Sequence, residues 1–246
     1  MAARRISAAD VLTIGNGVCG FLALGVLAGL WIVPPGRGLE HRELVACLLL
    51  YGIGMLCDVV DGPVARLLGS SGLGSGLDTI CDTITFGLLP AMLLLARLQE
   101  DDGWLVPALV VACGYVGGTC LRLARQALLE HARADRRAGG DDEPQPDFTG
   151  MPSPVGGNCV LAIVVLAPPP GVALAVVALV SVLLVADYPY PNNKTVVGSV
   201  FVGALLVASF AALAGLISLD VPSVVALVGL LPVAVVRAAR TALHAV

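Results

Sequence analysis

Long apolar runs alternate with short polar punctuation along almost the whole chain. The first run extends from Val11 to Val33, behind Arg4, Arg5 and Asp10. The next three cover Leu44 to Val60, Gly76 to Leu98 and Trp104 to Leu123. A polar segment containing HARADRRAGGDDEPQPD then occupies about residues 130–150, and it is too charged to be buried. Apolar runs resume at Val155 to Ala167, Val172 to Ala186, Thr195 to Ile217 and Val221 to Val236. A bilayer core needs about 20 apolar residues in a helix, which most of these runs approach. The 155–167 run reaches only about 20 Å at about 1.5 Å per residue, so its flanks must help or the helix is partial. The first run is expected to be a span rather than a signal peptide: it is too long, and it ends at Trp31-Ile-Val-Pro-Pro without a small-residue cleavage site. The pattern predicts an all-α integral membrane protein. It would be a polytopic helical bundle of about eight transmembrane helices (six to eight), built as a single membrane-embedded domain over 1–246.

Composition agrees with the pattern. The hydrophobic fraction is 57%, the charged fraction 13% and the mean hydropathy +0.92, and with about residues 130–150 the only long polar stretch, no separate soluble domain is expected. The net charge of −4 is less informative than where the charges fall. With the N-terminus in the cytoplasm, inside loops hold Arg4, Arg5, Arg66, Arg122, Arg125, Arg133, Arg136, Arg137, Lys194, Arg237 and Arg240. Outside loops hold only Arg37, Arg42 and Arg97, so the eight-span arrangement obeys the positive-inside rule. The seven cysteines form no C-x-x-C pair and lie in or beside apolar segments, as small packing residues do. No nucleic-acid partner is expected.

The exception to this apolar character is DVVDGPVARLLGSSGLGSGLDTICD, from Asp58 to Asp82. A carboxylate within a membrane span is costly and usually functional. Asp58 and Asp61 are spaced i,i+3, and Asp78 and Asp82 i,i+4, so on helices each pair projects from one face. Both pairs would sit at cytoplasmic helix ends. Joined by a Gly/Ser-rich turn, they could converge as four hard-oxygen ligands suited to Mg2+, Mn2+ or Ca2+ rather than zinc. A cation-coupled transporter is the competing reading, but it predicts charges dispersed over inverted repeats, not clustered in one helix pair. The residues between the aspartates favour a metal–diphosphate site. Gly62, Ala65, Gly72, Gly74 and Gly76 permit close approach of a ligand to the backbone, and Arg66 presents a fork of donors to phosphate.

This stretch resembles the signature of the CDP-alcohol phosphatidyltransferases, D-x2-D-G-x2-A-R-x8-G-x3-D-x3-D. Asp58, Asp61, Gly62, Ala65, Arg66, Gly74, Asp78 and Asp82 occupy its fixed positions. One residue fewer separates Arg66 from Gly74 than the signature has, and with D-x3-D intact the missing residue falls in the turn. Pro63, lacking an N–H, is expected to kink or end the helix there. Four further stretches are similar to the bacterial serine phosphatidyltransferases of that family: LTIGNGVCGFLAL (Leu12 to Leu24), FGLLP (Phe86 to Pro90), LRLAR (Leu121 to Arg125) and FTGMPSP (Phe148 to Pro154).

The resemblance implies transfer of a phosphatidyl group from CDP-diacylglycerol to L-serine, giving phosphatidylserine and CMP. It implies Mg2+ or Mn2+, as two ions, on Asp58, Asp61, Asp78 and Asp82, with Asp82 also the candidate general base. Gly62, Ala65, Arg66 and Gly74 would bind the donor. Another acceptor, glycerol 3-phosphate or inositol phosphate, is the alternative with the same chemistry. A homodimer and a place in the bacterial cell membrane, with the active site on the cytoplasmic side, are also implied.

Other polar residues carry weaker signals. Arg122 and Arg125 lie on one face of a helix end, either as positive-inside anchors or to capture an acceptor carboxylate or phosphate. Asn16, inside the first apolar run, could serve helix packing or line the nucleotide site. Ser153, between two prolines, reads as a turn residue. His41, His131 and His244 form no cluster. Gly25-x3-Gly29 and Gly114-x3-Gly118 suit close helix packing.

Overall fold

A computed structural model describes residues 6–29, 39–69, 71–99, 103–138, 150–188 and 218. These form helices α1 (Ala8–Leu27), α2 (His41–Leu68), α3 (Gly74–Asp82), α4 (Leu89–Leu98), α5 (Leu105–Ala138), α6 (Ser153–Leu166) and α7 (Pro170–Val185). A π-helical segment, Thr83–Leu88, joins α3 to α4 into one continuous rod. Among the described residues, four helices are long and apolar enough to cross a membrane: Ala8–Leu27, His41–Leu68, Gly74–Leu98 and Leu105–Ala132. They match the first four expected spans. Helices α6 and α7 fall on the next two runs but are shorter, at 14 and 16 residues. The expected spans over 195–217 and 221–236 lie outside the described residues, as do Arg4, Arg5, Arg37, Lys194, Arg237 and Arg240.

Helix ends follow local chemistry. The α1 start is a capping box: Ser7 Oγ accepts from the Asp10 N–H at 3.2 Å, and Asp10 Oδ2 accepts from the Ser7 N–H at 2.7 Å. The α2 helix does not stop at Pro63. A proline removes one backbone bond, and the turns on either side carry the helix on to Gly69, whose φ of +91° closes it. The α5 helix continues past the apolar run to Ala138, so residues 130–138, expected as part of a polar loop, extend a helix. Arg and Glu in that stretch are good helix formers.

Pro90 has a similar local effect. It cannot donate to the carbonyl four residues earlier, that of Phe86. The Tyr115 hydroxyl of α5 donates to this oxygen instead, at 2.6 Å. Helix α1 packs mainly on α2, and also on α3 and the π segment. Contact there is close: a Cβ on Gly17 would lie 2.7 Å from Cys81 Sγ, and one on Gly20 would lie 3.0 Å from Thr85 Cα. The core lies between the π segment, α4, α5, α6 and α7, around Phe86, Leu93, Tyr115, Val160 and Val177. Phe86 meets Tyr51 of α2 edge-on, with ring centroids 5.5 Å apart. Large apolar side chains such as Phe21 and Val110 face outward, as expected of a surface solvated by lipid.

Candidate active site

The two aspartate pairs meet where α2 ends and α3 begins. Asp58 and Asp61 lie on α2, half-buried; Asp78 is half-buried on α3, and Asp82 is buried at its last turn. The shorter turn does not hold the pairs apart. Asp58 interacts electrostatically with Asp61 and Asp78 and through its side chain with Asp82. Asp78 in turn lies in the field of Asp61.

Helix α1 supplies a polar stripe to this cluster. The Thr13 hydroxyl donates to Asp61 Oδ2 at 2.7 Å, and Asp78 is within reach of the same hydroxyl. The Asn16 amide donates to Asp82 Oδ1 at 2.9 Å. At the start of the stripe, buried Asp10 meets the Ser71 hydroxyl in the turn between α2 and α3. Sequence reasoning singled out Asn16 but missed Asp10 and Thr13. The signal was present: Asp10, Thr13 and Asn16 recur every third residue, followed by Gly17 and Gly20 on the same side.

A cation closes the other side. Arg122 of α5 is buried, with Asp82 and Asp58 as electrostatic partners and Tyr188 nearby. Its Nη1 donates to Ser153 Oγ at 2.8 Å, so Ser153, expected to be a turn residue, anchors this guanidinium from the first turn of α6. Arg125 is not brought in. It is exposed and donates to the Val185 carbonyl at 2.8 Å, capping the end of α7.

Of the expected donor-binding residues, Gly62 lies beside Arg66, whose Nη1 would be 3.8 Å from a Cβ there, and Arg66 itself is exposed. Ala65 is half-buried one turn from Asp61. At Gly74, as at Gly76, nothing lies within 4 Å of where a Cβ would stand, leaving open space over the start of α3.

Among the described residues, no group of three His, Cys, Asp or Glu side chains stands ready-made to hold a metal ion. The donors nonetheless fit Mg2+ or Mn2+ in kind, since all four are hard carboxylates. Side by side and wholly or partly buried, they repel one another as carboxylates unless a cation lies among them. Hydrogen bonds to Asp61 Oδ2 and Asp82 Oδ1 leave the other oxygen of each uncommitted to α1.

Known proteins are similar to this sequence. Over 187 residues it is 27% identical to the CDP-diacylglycerol–serine O-phosphatidyltransferase of Bacillus subtilis, covering 75% of this chain and 89% of that protein. The Mycobacterium leprae protein of the same name is 34% identical over 152 residues, 58% of this chain. The aligned part makes up only 44% of that relative's length. An archaetidylserine synthase of Methanothermobacter thermautotrophicus is 28% identical over 193 residues, covering 76% of this chain and 70% of that protein. The profile of the CDP-alcohol phosphatidyltransferases matches residues 6–186, from the helix cap at Ser7 to the end of α7. The aspartate cluster, α1 stripe and buried arginine all lie within that match, and the chain belongs to the CDP-alcohol phosphatidyltransferase family.

Proposed function

We propose that the protein transfers a phosphatidyl group from CDP-diacylglycerol to L-serine, releasing CMP, at the aspartate cluster. The observation that carries this reading is the convergence of Asp58, Asp61, Asp78 and Asp82 opposite one buried arginine, Arg122. The names of the relatives support serine as acceptor. Asp58, Asp61 and Asp78 would hold Mg2+ or Mn2+, with Asp82 able to join them. Ions bound there would neutralise the donor's diphosphate and favour attack at phosphorus.

The chain's own residues do the rest. Arg66, with room provided by Gly62, Ala65 and Gly74, orients the diphosphate at the open start of α3. Arg122 binds the serine carboxylate, already aligned by Ser153. The serine hydroxyl oxygen forms a bond to the phosphorus on the diacylglycerol side as Asp82 accepts its proton. The bond from that phosphorus to the bridging oxygen breaks, and CMP departs with that oxygen. Burial of Asp82 keeps competing water away from the reacting hydroxyl.

The site would face the cytoplasm, in a bundle of about eight spans with its N-terminus inside, because Arg66, Arg122 and Arg125 lie at the same end of the bundle. The whole chain would then form one membrane-embedded domain. Pairing of two copies is a separate question, answered by the mass of the purified protein in detergent.

The test is CMP release by purified protein given CDP-diacylglycerol and, in turn, L-serine, glycerol 3-phosphate and inositol phosphate. Release that depends on serine, with phosphatidylserine formed in equal amount, is expected. Release driven by a phosphorylated acceptor and not by serine would overturn the assignment of acceptor. No release with any alcohol would overturn the chemistry.

A further inference from the structure

We propose that Asn16 is a positioning residue for Asp82, setting the carboxylate that receives the acceptor's proton; this rests on the function proposed above. Asn16 is fully buried in α1, and its Nδ2 donates to Asp82 Oδ1 at 2.9 Å. A carboxylate only accepts, so the amide has one useful orientation; reversing it would set two oxygens face to face. That orientation leaves Asn16 Oδ1 buried without a hydrogen-bond partner. It faces Gly54 of α2, where a Cβ would lie 3.0 Å away.

An unsatisfied buried carbonyl oxygen destabilises a fold. A leucine of similar shape would avoid that cost, so packing alone does not account for an amide here. Nor is Asn16 a loose tether. Its backbone carbonyl accepts from Thr85 Oγ1 at 2.9 Å, within the π segment that begins directly after Asp82. The two bonds grip the rod at Asp82 and again three residues later, on either side of the point where its helical form changes. Pinning Oδ1 leaves Oδ2 as the carboxylate oxygen not committed to α1. Misplacing a reacting group by about 1 Å can cost about 10²-fold in rate.

The experiment uses the full chain in detergent, as wild type, Asn16→Leu and Asn16→Ala, each also combined with Asp82→Asn. Steady-state CMP release gives kcat and the KM for CDP-diacylglycerol and for serine; thermal unfolding gives Tm. We expect Asn16→Leu to lower kcat by about 10- to 100-fold. Both KM values should stay within about twofold, and Tm should change little, since the orphaned Asn16 Oδ1 is removed while Asp82 Oδ1 loses its donor. In the Asp82→Asn background the same substitution should change kcat little further. An unchanged kcat in Asn16→Leu overturns the proposal, as does a loss matched by a fall in Tm or by an equal loss without Asp82. If Asn16→Leu fails to fold, Asn16→Ala, which needs no extra space, decides by the same criteria. A wild type that releases no CMP would instead overturn the function itself, a result distinct from an active wild type matched by its Asn16 variants.

Discussion

Thr13 on α1 and Asp61 on α2 are joined by a 2.7 Å hydrogen bond across 48 positions of sequence. The same hydroxyl lies 3.2 Å from the Ala9 carbonyl, but its single proton is better used by the nearer, charged acceptor. Thr13→Val keeps the shape and removes the donor. Turnover should fall about 10- to 150-fold, matching the roughly 1.5–3 kcal/mol of a hydrogen bond to a charged group. CMP release by the two proteins, compared at equal folded fraction, checks this.

Activity should depend on a divalent cation. Chelation by EDTA is expected to abolish CMP release, and Mg2+ or Mn2+ to restore it. Asp58→Asn, Asp61→Asn and Asp78→Asn should each remove turnover, mainly through lost metal affinity. Full release in excess EDTA would rule out the metal, and near-normal turnover in any one variant would rule out that residue.

Asp82 separates two roles that the other aspartates do not. If it is chiefly the base, Asp82→Asn should retain metal and CDP-diacylglycerol binding while turnover falls about 10²–10⁴-fold. Metal titration and donor binding beside single-turnover rates make the distinction. Weakened metal binding, with a rate recovered at raised Mn2+, would make it chiefly a ligand.

The two arginines of the LRLAR stretch should behave differently. Arg122→Lys loses the Nη1 bond to Ser153 and the guanidinium's fork of donors, and should raise the KM for serine at least about tenfold, with little change in that for CDP-diacylglycerol. Arg125→Ala, exposed and bonded to the end of α7, should leave both KM values within about twofold. Steady-state kinetics with each substrate varied in turn give the comparison. Equal effects of the two substitutions would count against Arg122 as the acceptor's partner.

Tyr115→Phe should destabilise the protein without touching the aspartates. It strips the Phe86 carbonyl of the donor that replaces the missing N–H of Pro90, and a buried orphan costs about 1–3 kcal/mol. A lowered Tm with KM values unchanged is the expected result.

The aspartates were legible because their information is local: i,i+3 and i,i+4 spacing fixes a helix face without knowledge of the fold. Most of the first six helices were legible because length and hydropathy settle what a bilayer admits. What escaped depended on distance along the chain. Nothing near Asn16 names Asp82 as its partner, 66 positions away, or sorts Arg122 from Arg125. That sorting is made by α6, which brings Ser153 to one arginine, and by α7, which offers the other a carbonyl. Of the two effects expected of Pro63, a kink or an end, the helix does not end there, because one missing N–H leaves the bonds of the turns on either side in place.

The π segment Thr83–Leu88 is equivalent to one residue inserted into an otherwise regular rod. Each helical residue turns the chain by about 100°, so everything after Asp82 is out of phase with the aspartates by about that angle. The rod is thus two amphipathic surfaces set at an angle: one carries Asp78 and Asp82 toward α1 and α2, and the other sends Leu89, Leu93 and Leu94 into the core. An unbroken α-helix would have to choose between these orientations. Deleting one residue from the segment should leave helix content unchanged by circular dichroism while turning either the carboxylates away from the cleft or the leucines toward lipid.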